Sequence, residues 1–234
     1  MLKMAIVASI GLCIASVCQN SAVPTQGNTA NASQALTPQQ KERLRTMDQE
    51  QAAFRSGGFR AAAAVNGHFV ASTETHTWMG YSLPQLVQAS HLIVLGTADS
   101  NHCSITRDGQ KIVTEYRIQV NQVYKGKASA GQTIIVALPG GKVEFEDGTT
   151  AELITPHFRK MENGRQYVLF LEERHPLGGE GYTLTGLQQG LFSFSPDGST
   201  VVSHALPVDS IYKETNNEGA PLFLKILREL TASR

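Results

Sequence analysis

Three Asp-Gly pairs constrain the fold of this sequence more than any other feature, because each pair separates two short segments rich in apolar residues. The pairs are Asp108-Gly109, Asp147-Gly148 and Asp197-Gly198. Asp-Gly between such segments is a strong signal for the tight turn of a β-hairpin. The sequence therefore predicts a succession of antiparallel strands after about residue 90.

Residues 111–124 show the clearest strand pattern. Ile112, Tyr116, Ile118 and Val120 alternate with polar residues, and a period of two with one apolar face is typical of an amphipathic strand. Two further segments are apolar almost throughout: QTIIVAL at 132–138 and YVLFLEE at 167–173. The first of them is expected to be a central strand of the sheet.

Seven or eight short strands bracketed by helices predict a mainly β domain over residues 82–215. We expect a small OB-like barrel, closed or partly closed, with flanking helices. A β-sandwich is the alternative, because strand order cannot be determined from one sequence.

Residues 216–234 predict a C-terminal amphipathic helix that begins at Pro221 and packs on the barrel. Leu222, Ile226 and Leu230 fall on one face of it, and Phe223 and Leu227 widen that face.

Residues 1–22 have the pattern of a signal peptide. Lys3 precedes a largely apolar run, and small residues follow it, which is the order found in secretory signals. The run is shorter than the roughly 20 apolar residues that a spanning helix needs. We expect an exported protein, secreted or periplasmic, with no stable membrane span once the signal is removed. Lipid attachment through Cys18 is the alternative.

Residues 23–75 predict a flexible linker followed by a peripheral helical arm. The stretch up to residue 37 is small and polar, so it cannot bury enough apolar surface to fold. Thr37 and Pro38 then have the residue types that favour a helix start. Gly57 and Gly58 are expected to interrupt this helix, whose apolar stripe is thin.

The charge balance disfavours nucleic acid as a partner. The chain has 20 Lys and Arg against 20 Asp and Glu, and loss of residues 1–22 removes only Lys3 among them. Binding to a phosphate backbone needs a basic surplus or a basic patch, and the sequence shows neither. Removal of the signal also leaves Cys103 as the one cysteine, which excludes an intramolecular disulfide.

Five segments within residues 82–192 carry a recognisable pattern. They are SLPQLVQASHLIVLGTA, YRIQVNQVYKG, TIIVALPGG, PHFRKMENGRQYVLFL and TGLQQGLF. On these segments the chain resembles an uncharacterised domain of exported bacterial proteins. It is similar, more distantly, to the netrin-like module typified by the N-terminal half of the tissue inhibitors of metalloproteinases. Tyr124-Lys125-Gly126 and the strand from Gly164 to Leu169 carry that second likeness, which implies an OB-like barrel.

The activity of those inhibitors is not expected to accompany the resemblance. They chelate the protease zinc through a free N-terminal cysteine supported by disulfides. This sequence has no cysteine between Gln19 and His102.

Neither a metal nor a cofactor is predicted. The seven histidines include no pair at the i, i+4 spacing of a zinc helix, and the sequence has no Cys-x-x-Cys. His102 and Cys103 are adjacent, so on a strand they point to opposite faces and cannot form one site. The sequence also lacks the Gly-x-Ser-x-Gly nucleophile motif, and it has no Ser-x-x-Lys that is followed by the partner motifs of that site. The acidic cluster around Asp147 is interpreted as a solvated hairpin turn.

The loop from Thr155 to Arg165 is the candidate binding site, with His157, Phe158, Arg159 and Lys160 as its contact residues. Long loops on β-domains often carry binding function, and Phe158 beside basic groups would suit a protein or an anionic ligand. The competing interpretation makes Phe158 a core residue that caps the end of the barrel.

The sequence thus favours an exported, non-enzymatic binding or accessory protein that acts on a protein or glycan partner. Two alternatives remain. One is a metal protein or enzyme whose site is assembled by the fold from His91, His102, His157, His175 or His204. The other is an envelope scaffold that reaches its partner through residues 23–75.

Overall fold

The computed structural model describes residues 36–73, 80–156, 158–178 and 180–232. The predicted signal peptide, with Cys18, and the predicted linker up to residue 35 lie outside these ranges. The described chain is mainly β with flanking helices, as predicted. Its core belongs to one large antiparallel sheet, which has helices on one face.

Seven strands form the large sheet. Six of them follow the order β10-β9-β7-β2-β3-β4, and β8 pairs with β7. Their bounds are β2 Leu92–Ile105, β3 Ile112–Lys125, β4 Thr133–Pro139, β7 Gln166–Glu172, β8 Thr183–Leu184, β9 Leu191–Phe194 and β10 Val201–Ser203.

A second sheet has three strands in the order β1-β6-β5. Its strands are β1 His68–Ser72, β5 Gly141–Glu144 and β6 Thr150–Ile154. β5 and β6 form the hairpin predicted at Asp147-Gly148, whereas β1 runs parallel to β6. The other two predicted hairpins join β2 to β3 and β9 to β10.

The large sheet is not closed into a barrel by its strand pairing, so the barrel expectation is wrong in this respect. β4 is the strand at one edge of this sheet. Within the described residues, it pairs with the β8 side of the sheet through one isolated bridge only, between Val136 and Tyr182, which lies just before β8. The small sheet packs against the far ends of β2 and β3, where a cluster includes Phe69, Ile112 and Leu153. This two-sheet arrangement fits the sandwich alternative.

β7 is a central strand and explains the unbroken apolar run of its sequence. Tyr167, Leu169 and Leu171 face the cluster on one side of the sheet, while Val168 and Phe170 face the helix-covered side. A strand buried on both faces has no need of alternation. The expectation that 132–138 is central is wrong, because β4 ends the strand order. Its apolar character reflects burial of one face through Ile134, Val136 and Leu138.

The helix predicted at Pro38 is α1, Pro38–Asn66, and it has a capping box at Thr37. Gly58 interrupts it with φ 71° and ψ −158°. Most side chains before Phe54 are exposed, as expected of an arm. Phe54 and Phe59, however, are buried against Phe69 of β1. Part of the segment predicted to be peripheral therefore belongs to the packed protein.

The Tyr-Lys-Gly end of β3 has a structural role. Helix α2, Leu83–Ala89, ends beside it, and the Lys125 ammonium donates to the carbonyl oxygens of Val87, Gln88 and Ser90 at 2.7, 3.2 and 2.6 Å. Gly126 follows with φ 93°, and a Cβ on it would clash with the carbonyl oxygen of His91. A cation at a helix C-terminus satisfies carbonyls that the helix itself leaves unpaired.

Two short helices complete the helical face: α3, Ser210–Thr215, and α4, Ala220–Ala232. α4 packs on the large sheet, where Phe223 and Leu227 of its predicted apolar face are buried, whereas Leu222 is half-exposed. Among the residues described, no helix combines the length and the apolar character needed to cross a bilayer.

Candidate functional site

The structure divides the predicted binding residues between core and solvent. His157 lies outside the described residues. Phe158 is half-buried and packs against the main core cluster, as the competing interpretation expected. Arg159 and Lys160 are exposed. The basic part of the predicted site is therefore available for contact, whereas the aromatic part also serves the fold.

A groove of about 490 Å³ lies beneath Arg159 and Lys160. Its opposite wall is the end of the large sheet, where β9 and β10 form a hairpin. Across the sheet, Tyr167, Ser193 and Val202 lie side by side in register, and they form part of the lining. Thr200 and Asn217 contribute polar side chains to the rim.

Residues 158–165 cross the open end of the main core, and defined hydrogen bonds fasten them there. The backbone N–H of Glu162 donates to the Tyr167 hydroxyl at 2.8 Å, and the Arg165 guanidinium donates to the carbonyl oxygen of Phe194 at 2.8 Å. Arg165 also lies 3.3 Å from the Glu162 carboxylate. Burial raises the pKa of Tyr167 above its ordinary value. The loop is thus held in place from two strands.

A histidine and a serine meet on the floor of the groove. His204 Nε2 lies 2.9 Å from Ser193 Oγ. Burial, followed by the positive charges of Arg159 and Arg165, lowers the pKa of His204 to about 4. Its Nδ1 atom is buried and has no hydrogen-bond partner among the described residues. The imidazole is therefore neutral near pH 7, and the surrounding potential is positive.

The groove carries a local excess of positive charge on a nearly neutral chain. Its three cations are Arg159, Lys160 and Arg165, and its one acid is Glu162, which pairs with Arg165. In the part of the chain that the structure describes, no acidic side chain lies within ion-pair distance of Arg159 or Lys160. Two cations at the groove mouth are therefore uncompensated.

A smaller cavity of about 120 Å³ lies between the two sheets, on the other side of the same loop. Phe158 and Lys160 line it together with Thr114 and Tyr116 of β3. Cys103 is a free, half-buried thiol whose Sγ lies 3.3 Å from Thr114 Oγ1, and the adjacent His102 is exposed. The two neighbouring side chains on β2 thus differ in exposure, as residues that point to opposite faces of a strand do.

The described histidines do not converge. His175 is buried, and its Nε2 lies 2.9 Å from Glu115 Oε1, while its Nδ1 accepts from the Leu177 N–H. Within the described ranges, no group of three or more His, Cys, Asp or Glu side chains is placed to hold a metal ion. The carboxylate of Asp147 accepts from the N–H and hydroxyl of Thr149, so it acts in the hairpin turn as predicted.

Sequence reasoning missed the other half of the groove. Arg165 was assigned only to the end of the loop, and Ser193 and His204 lie far from it in the chain. Leu191 and Ser193 are two residues apart on β9, so they lie on the same face of that strand. No sequence signal, however, places that face beneath Arg159. Strand order, which brings β9 next to β7, creates this part of the site.

Comparison with known proteins adds no assignment to this geometry. No family model matches the chain, and no curated protein matches it.

Proposed function

We propose that this chain is an exported binding or accessory protein without catalytic activity, and that it engages a protein or glycan partner through the groove beneath residues 158–165. One observation carries the proposal. Arg159 and Lys160 stand at the mouth of the groove without an acidic partner in the described chain. Unpaired surface cations beside a concave, polar floor are suited to recognising a negatively charged group.

The composition supports a partner other than nucleic acid. Arg159, Lys160 and Arg165 form a small cluster, and Glu162 lies among them. Proteins that bind a phosphate backbone neutralise many phosphates with an extended basic surface. Export is part of the proposal because of the charge, apolar run and small residues of positions 1–22.

An enzyme is the second candidate, and the Ser193–His204 pair favours it. A serine hydroxyl 2.9 Å from an imidazole nitrogen resembles the first two members of a nucleophilic triad. Three features oppose this role. Ser193 is only 2% exposed, no described side chain orients Nδ1, and a histidine with a pKa of about 4 is a weak base near neutral pH.

Turnover separates the two candidates. The purified protein should hydrolyse generic ester, glycoside and peptide substrates no faster than buffer does. Hydrolysis by the wild type that Ser193→Ala abolishes, with an unchanged melting temperature, would replace the binding proposal with the enzyme. Ser195→Ala, on the same hairpin, is the matched control.

A further inference from the structure

The groove beneath residues 158–165 has features that define its ligand more narrowly, provided that the proposed binding function holds. Its two unpaired cations stand on one wall and its uncharged polar groups on the other. Arg159 and Lys160 lie on the loop side, while Thr200 and Asn217 lie on the side of the β9–β10 hairpin. A ligand that satisfies both walls must carry an anionic group next to several hydroxyls.

The single acid of the groove restricts the anion. Glu162 is 71% exposed, and one of its oxygens lies 3.3 Å from Arg165. This carboxylate would repel a phosphate dianion more strongly than a group with a single negative charge, because the repulsion between like charges grows with the charge. It can accept hydrogen bonds from neutral hydroxyls. The groove is therefore better matched to a single carboxylate on a polyhydroxylated body than to a dianion.

An extended acidic peptide fits less well, because the outer edge of β10 is covered. The Val201 N–H donates to the carbonyl oxygen of Glu218 at 2.8 Å, and the Asn217 N–H donates to the Val201 carbonyl oxygen at 2.9 Å. A peptide cannot add to this edge as a new strand, which is the usual way that an exposed edge captures a peptide backbone. Recognition here depends on side chains.

The size of the groove agrees with a sugar. Small-molecule sites range over roughly 300–1,000 Å³, and this groove is about 490 Å³. Its rim presents an amide at Asn217 and a hydroxyl at Thr200. These groups donate and accept hydrogen bonds, as ring hydroxyls require.

We infer that the groove binds an acidic sugar unit of the uronate class, with its carboxylate held by Arg159 and Lys160 and its hydroxyls by the rim of the β9–β10 hairpin. Arg165 is fixed by Phe194 and Glu162, so it supplies positive potential without having to move. Burial is the main cause of the lowered pKa of His204, and the charges of Arg159 and Arg165 lower it further, so both cations act at the floor of this groove.

Isothermal titration calorimetry on the full chain tests the inference with short oligogalacturonate and oligoglucuronate as probes. The fully methyl-esterified oligogalacturonate is the matched ligand control, because it keeps the sugar and loses the charge. We expect the esterified form to bind at least tenfold more weakly. Arg159→Gln and Lys160→Gln should each weaken binding of the acid about tenfold, as expected for one charge-assisted hydrogen bond.

Arg107→Gln is the matched protein control, because Arg107 is an exposed cation at the distant β2–β3 turn, and it should leave the affinity unchanged. Equal binding of the acid and the ester, no binding of either uronate, or full affinity in Arg159→Gln and Lys160→Gln would overturn the inference. Binding of oligoglutamate instead, lost in the same two variants, would overturn the sugar but leave the proposed binding function standing. Hydrolysis that depends on Ser193 would overturn that function itself.

Discussion

Replacing Lys125 with methionine removes the ammonium that closes the end of α2 and keeps most of the aliphatic stem. Two of the hydrogen bonds described above are short, at 2.7 Å to Val87 and 2.6 Å to Ser90. The variant leaves these carbonyl oxygens without their charged donor. A net hydrogen bond from a charged group contributes about 1.5 kcal/mol or more, so the two short bonds together predict a loss of about 3 kcal/mol.

A loss of that size is measurable by thermal unfolding. For a chain of this length, each kcal/mol shifts the melting temperature by roughly 2–4 °C, so Lys125→Met should melt about 6–12 °C below the wild type. Lys127→Met is the matched control, because Lys127 is exposed and lies only two residues away. It should change the free energy of unfolding by less than about 0.5 kcal/mol. Equal melting temperatures for the two variants would refute the role assigned to Lys125.

Three further predictions concern packing, strain and pH. Phe59→Ala should lower the free energy of unfolding, measured by chemical denaturation, by about 4 kcal/mol, because Phe59 is fully buried against two aromatic rings. Leu44→Ala, on the exposed half of α1, should lower it by less than about 0.5 kcal/mol. An equally small loss in Phe59→Ala would show that the second half of the helix is as peripheral as the first. Gly126→Ala should lose about 2–3 kcal/mol through its positive φ and the clash with His91, and wild-type stability in this variant would contradict the backbone geometry. The pKa of His204 is about 4 when folded against 6.5 as its ordinary value, so the unfolded chain takes up the proton first as the pH falls. The stability contributed by this depressed pKa is therefore fully present above pH 6.5 and is lost, by about 3 kcal/mol, as the pH falls toward 4. The denaturation midpoint should therefore fall less between pH 6.5 and pH 4 in His204→Gln than in the wild type. An equal fall in the two proteins would refute the assignment.

Local signals in the sequence predict the strands and turns of this fold well. Each Asp-Gly pair lies in a turn, and the Asp147 and Asp197 carboxylates accept hydrogen bonds from residues two positions on. Such bonds form within a few residues, so the local sequence determines them. The helix start at Thr37 has the same local origin.

Strand order and packing partners could not be predicted in the same way. The apolar run of β4 suggested a central strand, yet β4 lies at the end of the strand order, and β7 occupies the centre. Both segments read as apolar, and only tertiary contacts decide which one is covered on two faces. β1 was missed because a five-residue strand after a long helix has little pattern of its own, and its partner β6 lies far along the chain.

The candidate site shows the same division. Arg159 and Lys160 are identified by their place on a loop that the sequence itself reveals. Ser193 and His204 become part of the site because β7 pairs with β9, and β9 with β10. The floor of the groove is a product of long-range pairing, so it carries no sequence motif.

The pKa of His204, followed by NMR of its imidazole during a pH titration, tests the binding account most directly. Without ligand the value should be about 4. A carboxylate bound between Arg159 and Lys160 would offset part of the positive potential and favour the protonated ring. Saturating oligogalacturonate should therefore raise the pKa of His204, and the methyl-esterified form should leave it unchanged. The same pKa in both titrations, with the acidic probe bound, would show that the carboxylate lies elsewhere and would contradict the groove as the binding site.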